Sequence, residues 1–263
     1  MTLQHQAVTG VAPFKRPRRR RNVFVVAHAL MAHRRIPITD RLLATLLAAI
    51  AGAVNAGGFF AVGKYTSHMT GYVSQVADSL PTGNYALAFS ACIAILSFVS
   101  GATFSSMMVV WARLHHSRHQ YALPIFVQGL SLFGFSFSGH MFGADYVIIQ
   151  LAWLCFLMGM QNATITKLSK ARVRTTHVTG LITDIGIETG RALFGLVSPK
   201  SKIHADLQKL STLMRIVFAY LLGGILGAVG FATIGFYFAI PLATVLITLS
   251  LPRLLISDGK HPR

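Results

Sequence analysis

Long stretches without a charged residue dominate this chain and restrict it to a fold that lies in a membrane. They cover residues 42–63, 84–112, 121–144, 146–166 and 216–252. A helix needs about 20 apolar residues to cross the hydrocarbon layer of a bilayer. The last stretch is long enough for two spans, so we predict a tight turn near Gly235. The composition agrees, since 12% of the residues are charged and soluble domains average about 25%.

The positive charges lie between these stretches and predict which side of the membrane each connection faces. The net charge is +17, with basic residues concentrated in segments 1–40, 113–120, 167–174 and 199–209. Lysine and arginine are retained on the cytoplasmic side. We therefore predict that these segments and the tail 258–263 are cytoplasmic. The connections at 143–145 and near Gly235 carry no positive charge and are predicted to lie outside.

The first 40 residues are predicted to be a disordered basic arm. A basic arm suggests nucleic acid in a soluble protein, but in a membrane protein its usual partner is the anionic lipid of the cytoplasmic leaflet. Anionic lipid is therefore the expected partner of the arm, and nucleic acid is not expected.

A six-residue pattern occurs twice, and each copy follows an apolar stretch with an Asn-Ala pair. The first copy is Thr66-Ser67-His68-Met69-Thr70-Gly71, after Asn55. The second is Thr175-Thr176-His177-Val178-Thr179-Gly180, after Asn162 and 109 positions further along (68 to 177). The chain therefore contains an internal repeat.

The charged segments place the two copies on opposite sides of the membrane. Segment 64–83 has both ends outside, and segment 167–211 has both ends inside, so neither is a simple span. We predict an all-α membrane protein with six transmembrane helices plus two short re-entrant or half-length helices. Repeat 1 (41–144) and repeat 2 (145–257) then have inverted topology, as in many secondary transporters.

The repeated motif is the predicted substrate-binding site. Free N–H groups at two helix N-termini favour an anionic or carbonyl ligand, and imidazole can hydrogen-bond a ligand or carry a proton near neutrality. The alternative is that the motif only shapes a helix start, through a threonine N-cap and a flexible glycine. The candidate binding residues are His68, Thr70, Gly71, His177, Thr179, Gly180, Asn55 and Asn162.

Charged residues within the two motif helices are the candidates for coupling or ion pairing. They are Asp78, Asp184, Glu188 and Arg191. Charges at membrane depth are costly and usually face a partner or a polar cavity. The last three share one helical face. A structural Glu188–Arg191 ion pair and a proton-coupling carboxylate both stay open.

No enzyme, cofactor or metal site is expected. The chain has no phosphate-binding loop, nucleophile elbow or paired zinc ligands. A site built from the two motif histidines lacks a nearby carboxylate ligand. Cys92 and Cys155 fall in predicted spans and are interpreted as apolar filling.

Two runs resemble the signature of the YoaK family, bacterial inner-membrane proteins that carry domain of unknown function 1275. The runs are Ala51-Gly52-Ala53-Val54-Asn55-Ala56-Gly57-Gly58-Phe59-Phe60 and Gly159-Met160-Gln161-Asn162-Ala163, each followed by its copy of the motif. The resemblance covers about residues 40–256 and implies the bacterial inner membrane, but no biochemical role. Family members often carry Asp where this chain has Asn55, and Asn where it has Tyr72. Because Asn55 cannot titrate, proton coupling in the first half is in doubt.

Together these features predict a multi-pass protein with cytoplasmic termini. The expected function is a secondary transporter or channel-like protein for a small anionic or polar organic solute. The alternative is a non-transporting scaffold or regulator that acts through its basic cytoplasmic segments. A membrane enzyme ranks lowest. A homodimer is compatible with an inverted repeat, although nothing in the sequence requires one.

Overall fold

A computed structural model describes residues 37–115, 119–142, 146–168, 178–198 and 205–255. The basic arm up to residue 36, His177 and the tail 258–263 lie outside the described residues. Every regular element within them is a helix. The α-helices are α1 Pro37–Val62, α2 Met69–Ser79, α3 Tyr85–His115, α4 Ala122–Phe135, α5 Ser138–Phe142, α6 Val147–Leu168, α7 Val178–Val197, α8 Leu207–Ile234 and α9 Ala239–Leu255.

Four segments of the described chain are long and apolar enough to cross a membrane. They are Arg41–Val62, Tyr85–His115, Val147–Lys167 and Leu207–Leu255. The last contains both α8 and α9, which are separated by a short 3₁₀ turn over Gly235–Phe238. The turn begins where the sequence predicts it, at a glycine with a φ of 60° that other residues rarely adopt. The architecture is that of an α-helical membrane protein.

The helix in the predicted span 121–144 is shorter than the apolar stretch that predicted it. Helix α4 has 14 residues and ends at Phe135. Just beyond it, the hydroxyl of Ser136 donates to the carbonyl of Phe133 at 2.6 Å. The backbone N–H groups of Ser136 and Phe137 also bond to carbonyls three residues back, at Phe133 and Gly134, so the chain forms a turn here before the short helix α5.

Helices from the first half of the chain pack mainly against helices from the second half. Helix α1 runs along α8, α3 runs along α6, and α4 runs along α9. The motif helices join these pairs, because α7 lies on α8 and α2 lies on α3. Two groups result, which we call the first bundle (α1, α7, α8) and the second bundle (α2, α3, α6). The two halves of the sequence are therefore interlaced.

The pair α1–α8 is packed at backbone distance. A Cβ built on Gly52 would overlap the carbonyl oxygen of Tyr220, and one built on Gly223 would overlap that of Ala49. Glycine at such crossings lets helix backbones approach more closely than any side chain permits. The tight crossing is therefore a direct consequence of where the glycines fall in the sequence.

The pair α3–α6 repeats this crossing contact for contact. A Cβ on Gly159 would overlap the carbonyl oxygen of Phe98, and one on Gly101 would overlap that of Phe156. The offset from α1 to α6 is 107 positions (49 to 156, 52 to 159), and the offset from α3 to α8 is 122 (98 to 220, 101 to 223). With these two offsets, each contact between α1 and α8 has a counterpart between α6 and α3.

Candidate functional site

A cluster of polar side chains joins α1, α8 and the segment that leads into α2. The Oδ1 atom of Asn55 accepts hydrogen bonds from both the backbone N–H and the hydroxyl of Ser67, each at 2.9 Å. The hydroxyl of Tyr220 lies within hydrogen-bonding reach of the same two side chains. Asn55 therefore positions the chain that enters the first motif helix.

The glycine of the first motif makes room for its histidine. His68 is the N-cap of α2, and its side chain makes no capping hydrogen bond. Its ring lies over Gly71, where a Cβ would overlap the imidazole. His68 and Thr70 are both exposed. The pattern His-x-Thr-Gly thus places an accessible imidazole beside the first turn of the helix.

Two buried side chains near this cluster carry polar atoms without a hydrogen-bond partner among the described residues. They are the Oγ1 atom of Thr66 and the Oε1 atom of Gln161, and the two residues are 0% and 1% exposed. Thr66 fits because Gly58 leaves space for its methyl group. Unsatisfied buried polar atoms are uncommon in folded proteins, and each one calls for an explanation.

The polar contacts cross the boundary between the two bundles. Gln161 on α6 donates from Nε2 to the carbonyl oxygen of Leu47 on α1 at 2.8 Å. Asn55 on α1 accepts from Ser67, which precedes α2. Helices α1 and α6 also contact each other directly. The boundary is therefore held by a small number of polar groups as well as by apolar packing.

The second motif is described only in part. Thr179 and Gly180 lie exposed in the first turn of α7, and Asn162 is half-buried on α6. His177 lies outside the described residues. The position of Asn162 corresponds to that of Asn55 by the 107-position offset (55 to 162).

The charged residues of the second motif helix form an ion cluster with the start of α8. The carboxylate of Glu188 is 3.0 Å from Arg191 Nη1 and 3.1 Å from Lys209 Nζ, and it accepts the backbone N–H of Asp206 at 3.2 Å. Its side chain is 1% exposed. Asp184 is more distant, at 4.0 Å from Lys209, and 46% exposed. The ion pair expected from sequence is present, and Lys209 extends it.

At the corresponding point in the first half, Ser79 stands in place of Glu188, and the next helix is capped by a side chain in the same way. The N–H of Asn84 donates to the carbonyl of Ser79, and the Asn84 side chain caps the next helix by accepting the N–H of Leu87 at 3.2 Å. In the second half Asp206 accepts the N–H of Lys209 at 2.9 Å in the same way. Glu188 stands 109 positions after the buried Ser79 (79 to 188). Asp78 is exposed at the end of α2.

Protonation of Glu188 is expected to release α7 from α8. The Asp206 N–H, the Lys209 ammonium and the Arg191 guanidinium lower the pKa of the Glu188 carboxyl. A carboxyl with a depressed pKa stabilises the fold above its ordinary pKa, and this contribution is lost as the pH falls through the folded-state value. Glu188→Gln should therefore speed hydrogen exchange in α7 at neutral pH. Lowering the pH should then change the exchange rate of α7 less than it does in the wild type.

The matched control for this prediction is Asp184→Asn, which alters a longer and more exposed pair. Exposed ion pairs contribute little, so exchange in α7 should change much less. Hydrogen–deuterium exchange of the α7 peptides in both variants is the measurement. Equal exchange rates in the two variants would contradict the expectation that the ion pairs of Glu188 hold α7 against α8.

Several site residues have no separate signal in the sequence. Ser67 stands inside the motif and Gln161 inside the second family run, but their roles depend on partners on other helices. Tyr220 and Lys209 become relevant only when α8 is packed beside α1 and α7. Among the described residues, no group of three or more His, Cys, Asp or Glu side chains could hold a metal ion.

Comparison with known proteins yields one match. Residues 43–251 match the model of a family described as "Protein of unknown function (DUF1275)". No curated protein and no solved structure matches the chain.

Proposed function

The chain belongs to the DUF1275 family, and we propose that it is a secondary transporter or channel-like protein for a small solute. The description of the family states no function, so the proposal depends on the fold and the candidate site. The observation that carries it is the polar cluster of Asn55, Ser67 and Tyr220 beside the exposed His68. Such polar groups at membrane depth usually face a partner or a solute pathway.

The repeated crossing supports an inverted repeat with two re-entrant helices. One duplicated unit accounts for the two motif copies, for the two asparagines and for the two glycine crossings. Their offsets are 109 for the motif, 107 for the asparagines and for α1 with α6, and 122 for α3 with α8. In inverted-repeat transporters the substrate site lies near the midplane where the repeats meet, beside helices that are interrupted there. We propose that α2 and α7 take this role here, in a protein with six transmembrane helices in the bacterial inner membrane and both termini in the cytoplasm.

The moving units in this proposal are the two bundles and not the two halves of the sequence. Rocking one half against the other would separate α1 from α8 and α3 from α6, which are packed at backbone distance. Rocking the first bundle against the second preserves both crossings. It requires the polar contacts of Asn55 with Ser67 and of Gln161 with Leu47 to break, together with the direct packing of α1 on α6. These contacts would then be made in one state and released in the other.

The solute is proposed to bind at this boundary between the bundles. The unpartnered oxygens of Thr66 and Gln161 are buried in this structure, and separation of the two bundles would make them accessible to hydrogen-bond a solute. Helix N-termini supply N–H donors and favour anions or carbonyl groups. A small anion or a polar organic molecule with both donors and acceptors fits this combination.

A panel of small anions and polar organic solutes tests the proposal, with the shift in thermal unfolding of the purified protein as the first measurement. The solute with the largest stabilisation is then used for flux into proteoliposomes. His68→Ala and His177→Ala are expected to reduce flux at least about tenfold, as the loss of 1.4 kcal/mol of interaction would. The thermal unfolding of the unliganded variants should stay near that of the wild type. Unchanged flux in both variants would reject this site.

Deletion of residues 1–30 separates transport from the alternative of a scaffold or regulator. The segment carries many of the basic residues through which a scaffold would bind its partner. A transporter should keep its flux after the deletion. The scaffold alternative would be favoured if neither the full-length nor the shortened protein shows flux and the deletion removes a bound partner.

A further inference from the structure

Two positive side chains from different helices are brought together where α3 and α6 end. Lys167 is in the last turn of α6, and Arg113 is in the last turn of α3. They lie close enough for their charges to repel each other. Both helices end at segments that the charge distribution predicts to be cytoplasmic, so the pair belongs to that side of the second bundle. This feature does not depend on whether the protein transports a solute.

Neutral groups hold both cations in place. The ammonium of Lys167 donates to the backbone carbonyl of Ser106 at 3.3 Å and to the hydroxyl of the same residue. The Nε atom of Arg113 donates to the side-chain oxygen of Gln120 at 3.3 Å, and Gln120 is buried. A guanidinium has five N–H groups in a planar fork. Within the described residues, the N–H groups on both Nη atoms of Arg113 therefore stay available for another acceptor.

No carboxylate balances this pair within the described part of the chain. Every ion pair there has Asp184 or Glu188 as its acid, and both lie on α7. In the sequence, no acidic residue occurs at 79–144 or at 146–183, so α3, α6 and the segments that follow them contain none. A bound anion between the two cations would replace their repulsion by two attractive interactions.

The surface beside Arg113 indicates that this anion is the headgroup of a lipid. Three large apolar side chains along one face at the end of α3 are 50–76% exposed: Met107, Val110 and Leu114. Trp111 is exposed as well, and tryptophan is enriched where a span meets the lipid headgroups. Arg113 follows it by two positions and is a helical neighbour of Val110. An acyl chain along the apolar face would therefore place its headgroup at Arg113 and Lys167.

Basic pockets between helices on the cytoplasmic side of a membrane bind anionic headgroups. We infer that Arg113 and Lys167 form a binding site for one phospholipid with a negatively charged headgroup, at the predicted cytoplasmic ends of α3 and α6. Its phosphate oxygens accept hydrogen bonds from the Arg113 fork and from the Lys167 ammonium. A free phosphate ion would satisfy the same donors but would leave the apolar face of α3 without a contact.

Native mass spectrometry of the full-length protein in an uncharged detergent tests this inference. The dissociation constant of the first bound lipid is measured for phosphatidylglycerol and for phosphatidylcholine with the same acyl chains. Arg113→Gln and Lys167→Gln remove the two charges, singly and together, and Arg113→Lys keeps the charge. Arg215→Gln is the matched control, because it also removes an exposed positive charge, but from α8 in the first bundle.

We expect the wild type to bind phosphatidylglycerol about tenfold more tightly than phosphatidylcholine, because two basic residues near one anionic headgroup both contribute. The double variant should lose this preference, and Arg113→Gln should lose most of it, whereas Arg215→Gln and Arg113→Lys should keep it. Inorganic phosphate should not displace phosphatidylglycerol. Because Arg113 is exposed, Arg113→Gln should unfold at the wild-type temperature and tests the site even if the double variant does not fold.

Four results would overturn the inference. They are equal affinity for the two lipids in the wild type, an unchanged preference in Arg113→Gln, an equal loss in Arg215→Gln, and displacement of the lipid by inorganic phosphate. The last result would assign the two cations to a free anion and not to a phospholipid.

Discussion

Gly223→Ala is expected to destabilise the protein by about 3 kcal/mol, the upper end of the usual cost of overpacking. The added methyl group would overlap the carbonyl oxygen of Ala49. A flexible side chain could rotate away, but this neighbour is the backbone of a packed helix. Helices α1 and α8 would have to separate along their whole contact, which loses packing on both sides. Thermal unfolding in detergent micelles measures the effect.

Gly224→Ala is the matched control, one residue further along the same helix. The nearest heavy atoms to its Cβ would be 3.6 Å and 3.7 Å away, which is ordinary van der Waals contact. Alanine also has a higher helix propensity than glycine, by about 1 kcal/mol. The control should therefore match or exceed wild-type stability. Equal losses in both variants would show that the close approach of α1 and α8 is not the cause.

The repeat makes a second comparison available. Gly101 is the counterpart of Gly223, and its Cβ would overlap the carbonyl oxygen of Phe156. Gly101→Ala should therefore cost about as much as Gly223→Ala, or about 3 kcal/mol. A much smaller loss at Gly101 would mean that the two crossings differ in energy despite their matched geometry.

Asn55→Ala is expected to have the largest effect after the glycine substitutions at the two helix crossings, because it removes the acceptor of two hydrogen bonds. The backbone N–H and the hydroxyl of Ser67 would both lose their partner. Ser67 is half-buried, so we expect a loss of about 1 kcal/mol in unfolding free energy, the lower end of the cost of leaving a donor unsatisfied. The entry to α2 should shift as well, and with it His68. Solute flux should then fall at least as far as in His68→Ala.

Asn55→Asp is the control for this change, because a carboxylate oxygen can accept the same two hydrogen bonds. We expect this variant to unfold near the wild-type temperature and to retain flux, which proteoliposome assays and thermal unfolding measure together. If Asn55→Ala retained full flux and stability, the polar cluster would have no role in the site.

Local features of the sequence were sufficient for several parts of the fold and the site. The turn at Gly235 was predicted because it interrupts an apolar run too long for one helix. The Glu188–Arg191 pair was one of two interpretations that the sequence left open, because residues three positions apart are neighbours on a helix, and the structure contains this pair. The motif helices were predicted to begin near His68 and His177, and α2 does begin just after His68. Each of these inferences depends on residues close together in the chain.

Contacts between distant residues could not be predicted in this way. Tyr220 joins Asn55, and Lys209 joins Glu188, only because α8 packs beside α1 and α7. The length of α7 was also not anticipated, since segment 178–197 contains no proline and nothing in its composition distinguishes it from the shorter α2. The early end of α4 at Phe135 was not anticipated either, because the apolar run continues past it.

By itself, the sequence determined the membrane class, the family and the duplicated motif, because apolar length, charge placement and repeated residues can all be read along the chain. Only the tertiary structure decided that the two halves are interlaced. Small residues permit close helix contact in a membrane but do not specify the partner helix, because lipid tails are as apolar as the helices themselves. The choice of partner comes from the fit between whole helices, here the glycines of α1 with α8 and of α3 with α6. That fit places Asn55, Ser67 and Tyr220 together at the boundary where we propose the solute binds.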